Sequence, residues 1–200
     1  MELIIGMTIL LVMMAGASQL LMNSLHVRTR ENQKSDALAD AQRALNIMSR
    51  EIGNSGFGLD YNGIVAPDCH PTIATDPNTA QIRVLANTSN NDAAIAQADE
   101  DITFVYQGAP VYAIVRYDGF TKTRTVLASR IDAMQITYIN AAEGTSTLAT
   151  AEAVANAVRV RITIQVNLLP TGNQSASTTP KVLLTSDIAL RNAPTVTDRY

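Results

Sequence analysis

The chain opens on a long apolar run. Residues 3–22 read LIIGMTILLVMMAGASQLLM and carry no charged side chain. At a rise of about 1.5 Å per residue, a helix of this length spans about 30 Å, the thickness of the hydrocarbon core of a bilayer. A lone segment in lipid must be helical, because its backbone groups need internal partners. The pattern therefore predicts a transmembrane helix over residues 1–22. The alternative is a signal peptide, whose apolar region is normally shorter and follows a basic segment.

A helical period continues beyond this run. Residues 23–52 contain no proline or glycine, and apolar side chains recur there at spacings of three and four. These side chains are Leu38, Ala41, Leu45, Met48 and Ile52. Gly53 follows at a position typical of a helix end. We therefore predict one helix over residues 1–52, with an amphipathic second half (23–52). Its apolar stripe is too short for a coiled coil and is expected to pack on a sheet of the same chain.

Beyond Gly53 the hydrophobic period shortens to two. The clearest alternation runs from Val158 to Leu168, which is typical of a strand with one buried face. Further predicted strands cover 81–86, 102–106, 111–117, 124–128, 131–139 and 182–190. Predicted loops cover 87–101 and 171–180, and the alanine-rich residues 141–157 fit a loop or a short helix. Strands that follow one long helix predict an α+β fold, in which the helix packs on an antiparallel sheet of a β-rich head domain, 53–200.

Composition narrows the classes of function. The chain has 200 residues and a net charge of −3, without the basic surplus of a nucleic-acid-binding protein. Its single cysteine, Cys69, and its two histidines, His26 and His70, leave little for an internal disulfide, a cysteine-rich zinc site or a catalytic triad. We therefore predict a protein that is not an enzyme, with no catalytic residues, no metal, no cofactor and no small-molecule substrate.

Three other features have alternative interpretations. Asp68-Cys69-His70 is interpreted as a loop with a lone cysteine, and an intermolecular disulfide is the alternative in an oxidising compartment. The acidic segments 60–63 and 92–101 lack the spacing of an EF-hand loop, so calcium binding is the less favoured interpretation. Arg159 and Arg161 lie on the polar face of a predicted strand. They are interpreted as solubilising residues, with contact to a neighbouring subunit as the alternative.

The sequence resembles type IV pilins at particular residues. Glu2 directly before Leu3-Ile4-Ile5-Gly6-Met7 is similar to the start of the mature pilin helix. Residues 42–58 (QRALNIMSREIGNSGFG) resemble the end of that helix in PilW-like minor pilins. Segments 126–138, 158–166 and 188–192 resemble the middle and closing strands of those proteins. The resemblance thus spans most of the chain.

This resemblance implies a filament subunit whose partners are other pilin subunits. The apolar helix would hold the subunit in the bacterial inner membrane, with the head in the periplasm, and would later enter the core of a pilus at the cell surface. Glu2 would pair with the N-terminal amine of a neighbouring subunit. The residues of the filament core and transmembrane helix would be Leu3, Ile4, Ile5, Met7, Ile9, Leu10, Leu11 and Val12.

Within the family, the resemblance favours a minor pilin that helps to initiate or cap assembly. A type II secretion pseudopilin and a main filament subunit are the alternatives. Because His26, Arg28, Arg30 and Lys34 follow the apolar run, the positive-inside rule would place the head in the cytoplasm unless basic residues precede Met1. The resemblance leads us to expect such a basic leader, encoded upstream of Met1. A membrane-anchored periplasmic binding module is the alternative from another class of protein.

Overall fold

The predicted α+β fold class is confirmed. The computed structural model describes residues 2–66, 80–88, 95, 97–168 and 181–193. Its two helices are α1 (Glu2–Gly53) and α2 (Ala151–Ala155). The strands are β1 (Ile64–Val65), β2 (Gln81–Leu85), β3 (Asp101–Gln107), β4 (Ala113–Asp118), β5 (Arg124–Ser129), β6 (Ile131–Asn140), β7 (Thr145–Ser146), β8 (Ala157–Asn167) and β9 (Lys181–Ala189).

The apolar and amphipathic halves form one uninterrupted helix, as predicted. Helix α1 ends at Gly53, and the chain then turns through Gly56, which has φ near +73°. The amide of Ser55 donates to the carbonyl of Ile52 (3.0 Å) and so tightens this last turn. A residue in the left-handed conformation commonly follows a helix. It is usually a glycine, because glycine adopts that conformation without steric cost.

The strands form two antiparallel sheets rather than the single sheet that was predicted. One has the order β1-β2-β3-β4-β5 and the other β7-β6-β8-β9. A single residue, Arg130, separates β5 from β6, and its left-handed conformation (φ 61°) turns the chain from one sheet to the other. Alternation of polar and apolar residues reveals which face of a strand is buried but not which sheet the strand joins, so the corner was missed.

The predicted strand boundaries agree with the structure to within one residue, except at the start of β4. Val111 and Tyr112 were predicted to open a strand, but both donate their amides to the carbonyl of Gly108 (2.9 and 3.0 Å) in a turn. The strand β4 therefore begins only at Ala113. The two-residue strands β1 and β7 were not predicted, since two residues cannot show a period. The predicted loop 171–180 lies outside the described residues.

The hydrophobic core lies where α1 meets both sheets. Helix α1 contacts β5, β8 and β9. Its buried side chains are Ala37, Ala41, Ala44, Leu45, Met48 and Ile52, and Leu38 is half-buried against them. The sheets contribute fully buried side chains such as Ile82, Phe104, Ile114, Ile162 and Ile164. Each Å² of apolar surface removed from water stabilises the folded state by about 25 cal/mol, and this burial holds the second half of the helix on the head.

A buried amide locks the turn after α1 to the rest of the head. Asn62 is 2% exposed, and its Nδ2 donates to the carbonyls of Val154 (2.7 Å) and Ala157 (3.1 Å). Its Oδ1 accepts from the amide of Ile64 (3.2 Å), while its carbonyl accepts from the hydroxyl of Ser55 (2.8 Å). One residue thus joins the helix end, β1 and α2 through its side chain and its backbone carbonyl.

The hairpin between β4 and β5 is held by a buried carboxylate. Asp118 Oδ1 accepts from the amides of Phe120 (2.8 Å) and Thr121 (3.0 Å), and Oδ2 accepts from the amide of Asp99 (3.0 Å). Burial alone would raise the pKa of Asp118, but these hydrogen bonds to the charged form outweigh it and lower the pKa below its usual range.

We therefore expect the head to lose stability in acid partly through Asp118. A lowered pKa in the folded state gives stabilisation that is complete above the unfolded pKa, about 3.9, and is lost as the pH falls through the folded value. Urea unfolding midpoints measured between pH 6 and pH 3 should fall more steeply in the wild type than in Asp118→Asn. Equal pH dependence in the two proteins would contradict this role.

Candidate functional site

The first half of α1 projects from the head without any cover. Every residue from 4 to 32 is exposed, and at about 1.5 Å per residue this segment extends roughly 44 Å. Its mean hydropathy reaches 2.0 over an 18-residue window, none of which is buried. The helix is therefore long and apolar enough to span a membrane.

The predicted filament-core residues lie on this projecting segment. From Ile4 to Val12 the predicted side chains are between 54% and 72% exposed, and they point in all directions around the helix. Leu3 is within α1, but its side chain lies outside the described part. An apolar surface of this size is not stable in water, since contiguous exposed patches on soluble monomers rarely exceed a few hundred Å². Lipid or other apolar helices are environments that would cover such a surface.

Glu2 is the first residue of α1. Its side chain lies outside the described residues, so its predicted pairing with a neighbouring subunit stays a prediction. Its backbone position places it at the far end of the projecting segment from the head. A carboxylate at a helix N-terminus is favoured by the partial positive charge of the unpaired amides there.

The helix enters the head near Gln33. There the Arg130 Nη1, from the corner between the two sheets, donates to the carbonyl of Gln33 (3.1 Å). Burial of α1 begins one turn later, at Ala37. Ala37, Ala41 and Ala44 are small, which lets the strands approach the helix closely. Sequence reasoning included only Ala41 in the stripe, because alanine is a weak signal of a buried position.

Polar contacts fix the C-terminal end of α1 against the strands. Arg116 on β4 lies 3.0 Å from the Glu51 carboxylate and 2.6 Å from the Asp99 carboxylate. Partial burial tends to lower the pKa of the Arg116 guanidinium, but these hydrogen bonds raise it above its usual value, so the group is a permanent cation. Ser49 and Ser186 hydroxyls lie 3.0 Å apart. Glu51 lies in the pilin-like segment 42–58. Its partner Arg116 is far away in the chain, so the spacing of residues in the sequence could not predict their contact.

Among the described residues, two clefts on the head are lined by both polar and apolar side chains. One, of about 340 Å³, is lined by the Glu51, Asp99 and Arg116 cluster with Arg50 and Glu100. The other, of about 290 Å³, lies between α2 and the β6–β7 turn. In the part of the chain that the structure describes, no group of three or more His, Cys, Asp or Glu residues is placed to hold a metal ion.

The remaining candidate residues fall into two groups: those with an ion-pair partner in the structure and those outside the described residues. The Arg161 guanidinium makes a two-point contact with Asp187 on β9 (2.6 and 2.8 Å), and Arg159 contacts Glu143 (2.6 Å). Both arginines thus have partners within their own chain. Cys69 and His70 lie outside the described residues, as do residues 92–94 and 96 of the acidic segment 92–101, whereas Asp99, Glu100 and Asp101 are described.

Comparison with known proteins adds no identity: no family model matches the chain, and no curated protein matches it either.

Proposed function

We propose that this chain is a structural, non-enzymatic subunit of a type IV pilus-like filament, and specifically a minor pilin that helps to initiate or cap assembly. One observation carries the proposal. A single helix of 52 residues is embedded in the core of the head over its second half and is exposed at every residue from 4 to 32, which include most of its apolar run.

The continuity of the helix favours a filament subunit over a simple anchor. An anchor only needs to keep its head near a membrane, and a flexible linker between span and head would suffice. Here no such linker exists between residues 2 and 53, and the helix is packed into the head by Met48 and Ile52 and fixed by the Glu51–Arg116 contact. A rigid connection transmits the position of the apolar segment to the head, as an ordered array of subunits requires.

The apolar segment can satisfy two environments in turn. In the bacterial inner membrane, lipid would cover it, with the head in the periplasm. In a filament, the same segments of other subunits would cover it, because close-packed apolar helices replace lipid contacts with helix contacts of similar energy. The partners in this proposal are therefore other pilin subunits, and the final location is the pilus at the cell surface.

Glu2 would set the register of the subunits. A carboxylate among apolar helices is costly unless it is paired, and the N-terminal amine of a neighbouring subunit is a suitable partner. Since an unpaired buried charge costs several kcal/mol, a subunit shifted along its neighbour would be strongly disfavoured.

Replacing Glu2 tests the proposal directly. In a bacterium that encodes the protein, Glu2→Ala and Glu2→Gln should leave the amount in the membrane fraction unchanged, while the amount in sheared filaments should fall by at least about tenfold, the consequence of losing an interaction of about 1.4 kcal/mol or more. Immunoblots of the two fractions measure this. Asp36→Ala, on the same helix but close to the head, serves as the matched control.

Three outcomes separate the candidate functions. If the wild-type chain is absent from filaments and from their assembly complexes, the proposal is wrong and a membrane-anchored binding module is favoured. If the chain is abundant along the filaments, it is a main subunit. A minor pilin should be scarce in the same preparations, and a chain that co-purifies with type II secretion components is a pseudopilin.

A further inference from the structure

The helix carries a cluster of basic residues between its apolar run and the head. His26, Arg28 and Arg30, which we call the basic collar, are exposed. Their side chains make no hydrogen bond or ion pair within the described part of the chain. From residue 3 to residue 30 the sequence contains no acidic residue. The next charged pair, Glu31 with Lys34, is satisfied within the helix at 2.9 Å.

The side chains of the collar lie on opposite sides of the helix and do not follow one face. At about 100° per residue, Arg28 lies about 200° from His26, whereas Arg30 lies about 40° from His26. The two arginines therefore point to opposite sides. A protein partner docked on one face of the helix would contact only one of them, whereas a surface that encircles the helix would contact both.

The position of the collar along the helix matches the headgroup layer of a bilayer. If residues 3–22 fill the hydrocarbon core, Arg28 lies about 9 Å beyond Met22 along the axis. The polar layer on each side of the core is about 5–8 Å thick, and a long arginine side chain can reach back into it. The head begins to cover the helix at residue 33, about 16 Å beyond Met22 and so outside this layer.

From the encircling charge and its depth, we infer that the basic collar binds the phosphate groups of anionic phospholipids and sets how deeply the helix sits in the membrane. Each arginine or lysine near an anionic membrane surface contributes about 1 kcal/mol, which is about a fivefold change in binding. The inference rests on the membrane-bound stage of the proposed function and does not depend on filament assembly.

Native mass spectrometry of the full chain in non-ionic detergent tests this inference. Phosphatidylglycerol and phosphatidylcholine with the same acyl chains would be added in equal amounts, and bound lipids counted. We expect the wild type to prefer phosphatidylglycerol, and the double variant Arg28→Gln/Arg30→Gln to lose that preference by about tenfold or more. Higher salt should weaken the wild-type preference, since ions screen exposed charges.

A second double variant, Arg43→Gln/Arg191→Gln, which we call the head variant, removes the same charge from exposed positions on the packed half of α1 and on the head, and should keep the preference. An unchanged preference in the collar variant, or an equal loss in the head variant, would overturn the inference. A change in the number of associated chains instead of bound lipids would also overturn it, because the partner would be a second copy. If neither lipid binds the wild type, both the collar and the membrane-bound stage of the proposed function are wrong, whereas a failure of filament incorporation alone leaves the collar result intact.

Discussion

Replacing Gly63 with alanine should lower the free energy of unfolding of the head by about 3 kcal/mol or more, because a positive φ and steric overlap add together. Gly63 has φ near +72°, and a Cβ there would lie 2.0 Å from the amide nitrogen of Gly56 and 2.3 Å from the carbonyl oxygen of Leu85. Both obstacles are backbone atoms. They are also hydrogen-bonded to each other, since the Gly56 amide donates to the Leu85 carbonyl (2.8 Å). Neither atom can therefore move without breaking the turn after α1.

Gly53→Ala is the matched control for this substitution. Gly53 ends α1 without a positive φ, and a Cβ there would meet the nearest atom, Ile188 Cγ2, at an ordinary 3.6 Å. We expect a change of about 1 kcal/mol or less, and a stabilising sign is reasonable because alanine favours helices over glycine. Equal stability of Gly63→Ala and the wild type would show that the turn is looser than its contacts indicate.

Urea unfolding of the full chain in detergent measures both variants. The chain has no tryptophan, and its six tyrosines all lie beyond Gly53. Tyrosine fluorescence therefore reports unfolding of the head alone, even while the apolar helix stays folded in the micelle. A change in the midpoint with an unchanged slope would be a change in stability.

Much of this architecture was predictable because it depends on local periods. The spacing of Leu45, Met48 and Ile52 predicted the buried face of α1, and strict alternation over Val158–Leu168 predicted β8, which spans Ala157–Asn167. Periods of 3.6 and 2 are properties of neighbouring residues, so the sequence displays them directly. The α+β class follows from their order along the chain.

The features that were missed depend on residues far apart in the chain. Arg116 meets Glu51 across 65 positions, and the chain enters the second sheet after Arg130, whose left-handed conformation has no signal in its residue type. Ala37 and Ala44 are buried because strands approach there, which a hydrophobic pattern underestimates. The proposed site has a further limit: the partner expected for Glu2 belongs to another chain, and no spacing within this sequence can reveal it.

A charge placed at Asn62 should destabilise the head by about 3–5 kcal/mol near neutral pH, because the new carboxylate would be buried and unpaired. In Asn62→Asp the shape of the side chain is kept and the contact with the Ile64 amide can persist. The group that donated to the carbonyls of Val154 and Ala157, however, is replaced by an oxygen that repels both. The loss should therefore come from charge and hydrogen bonding and not from packing.

The same variant should recover stability in acid, relative to the wild type. Burial beside carbonyl oxygens raises the folded-state pKa of the new carboxyl group above its unfolded value of about 3.9. The penalty is then complete above the folded pKa and disappears as the pH falls below the unfolded one, since the protonated group can donate to one of the two carbonyls. Asn46→Asp adds the same charge at an exposed position of α1 and should show neither the loss nor the recovery. Tyrosine-detected urea midpoints at pH 7 and pH 4 measure the difference. A penalty that does not change with pH would mean that the Asn62 contacts act through shape alone.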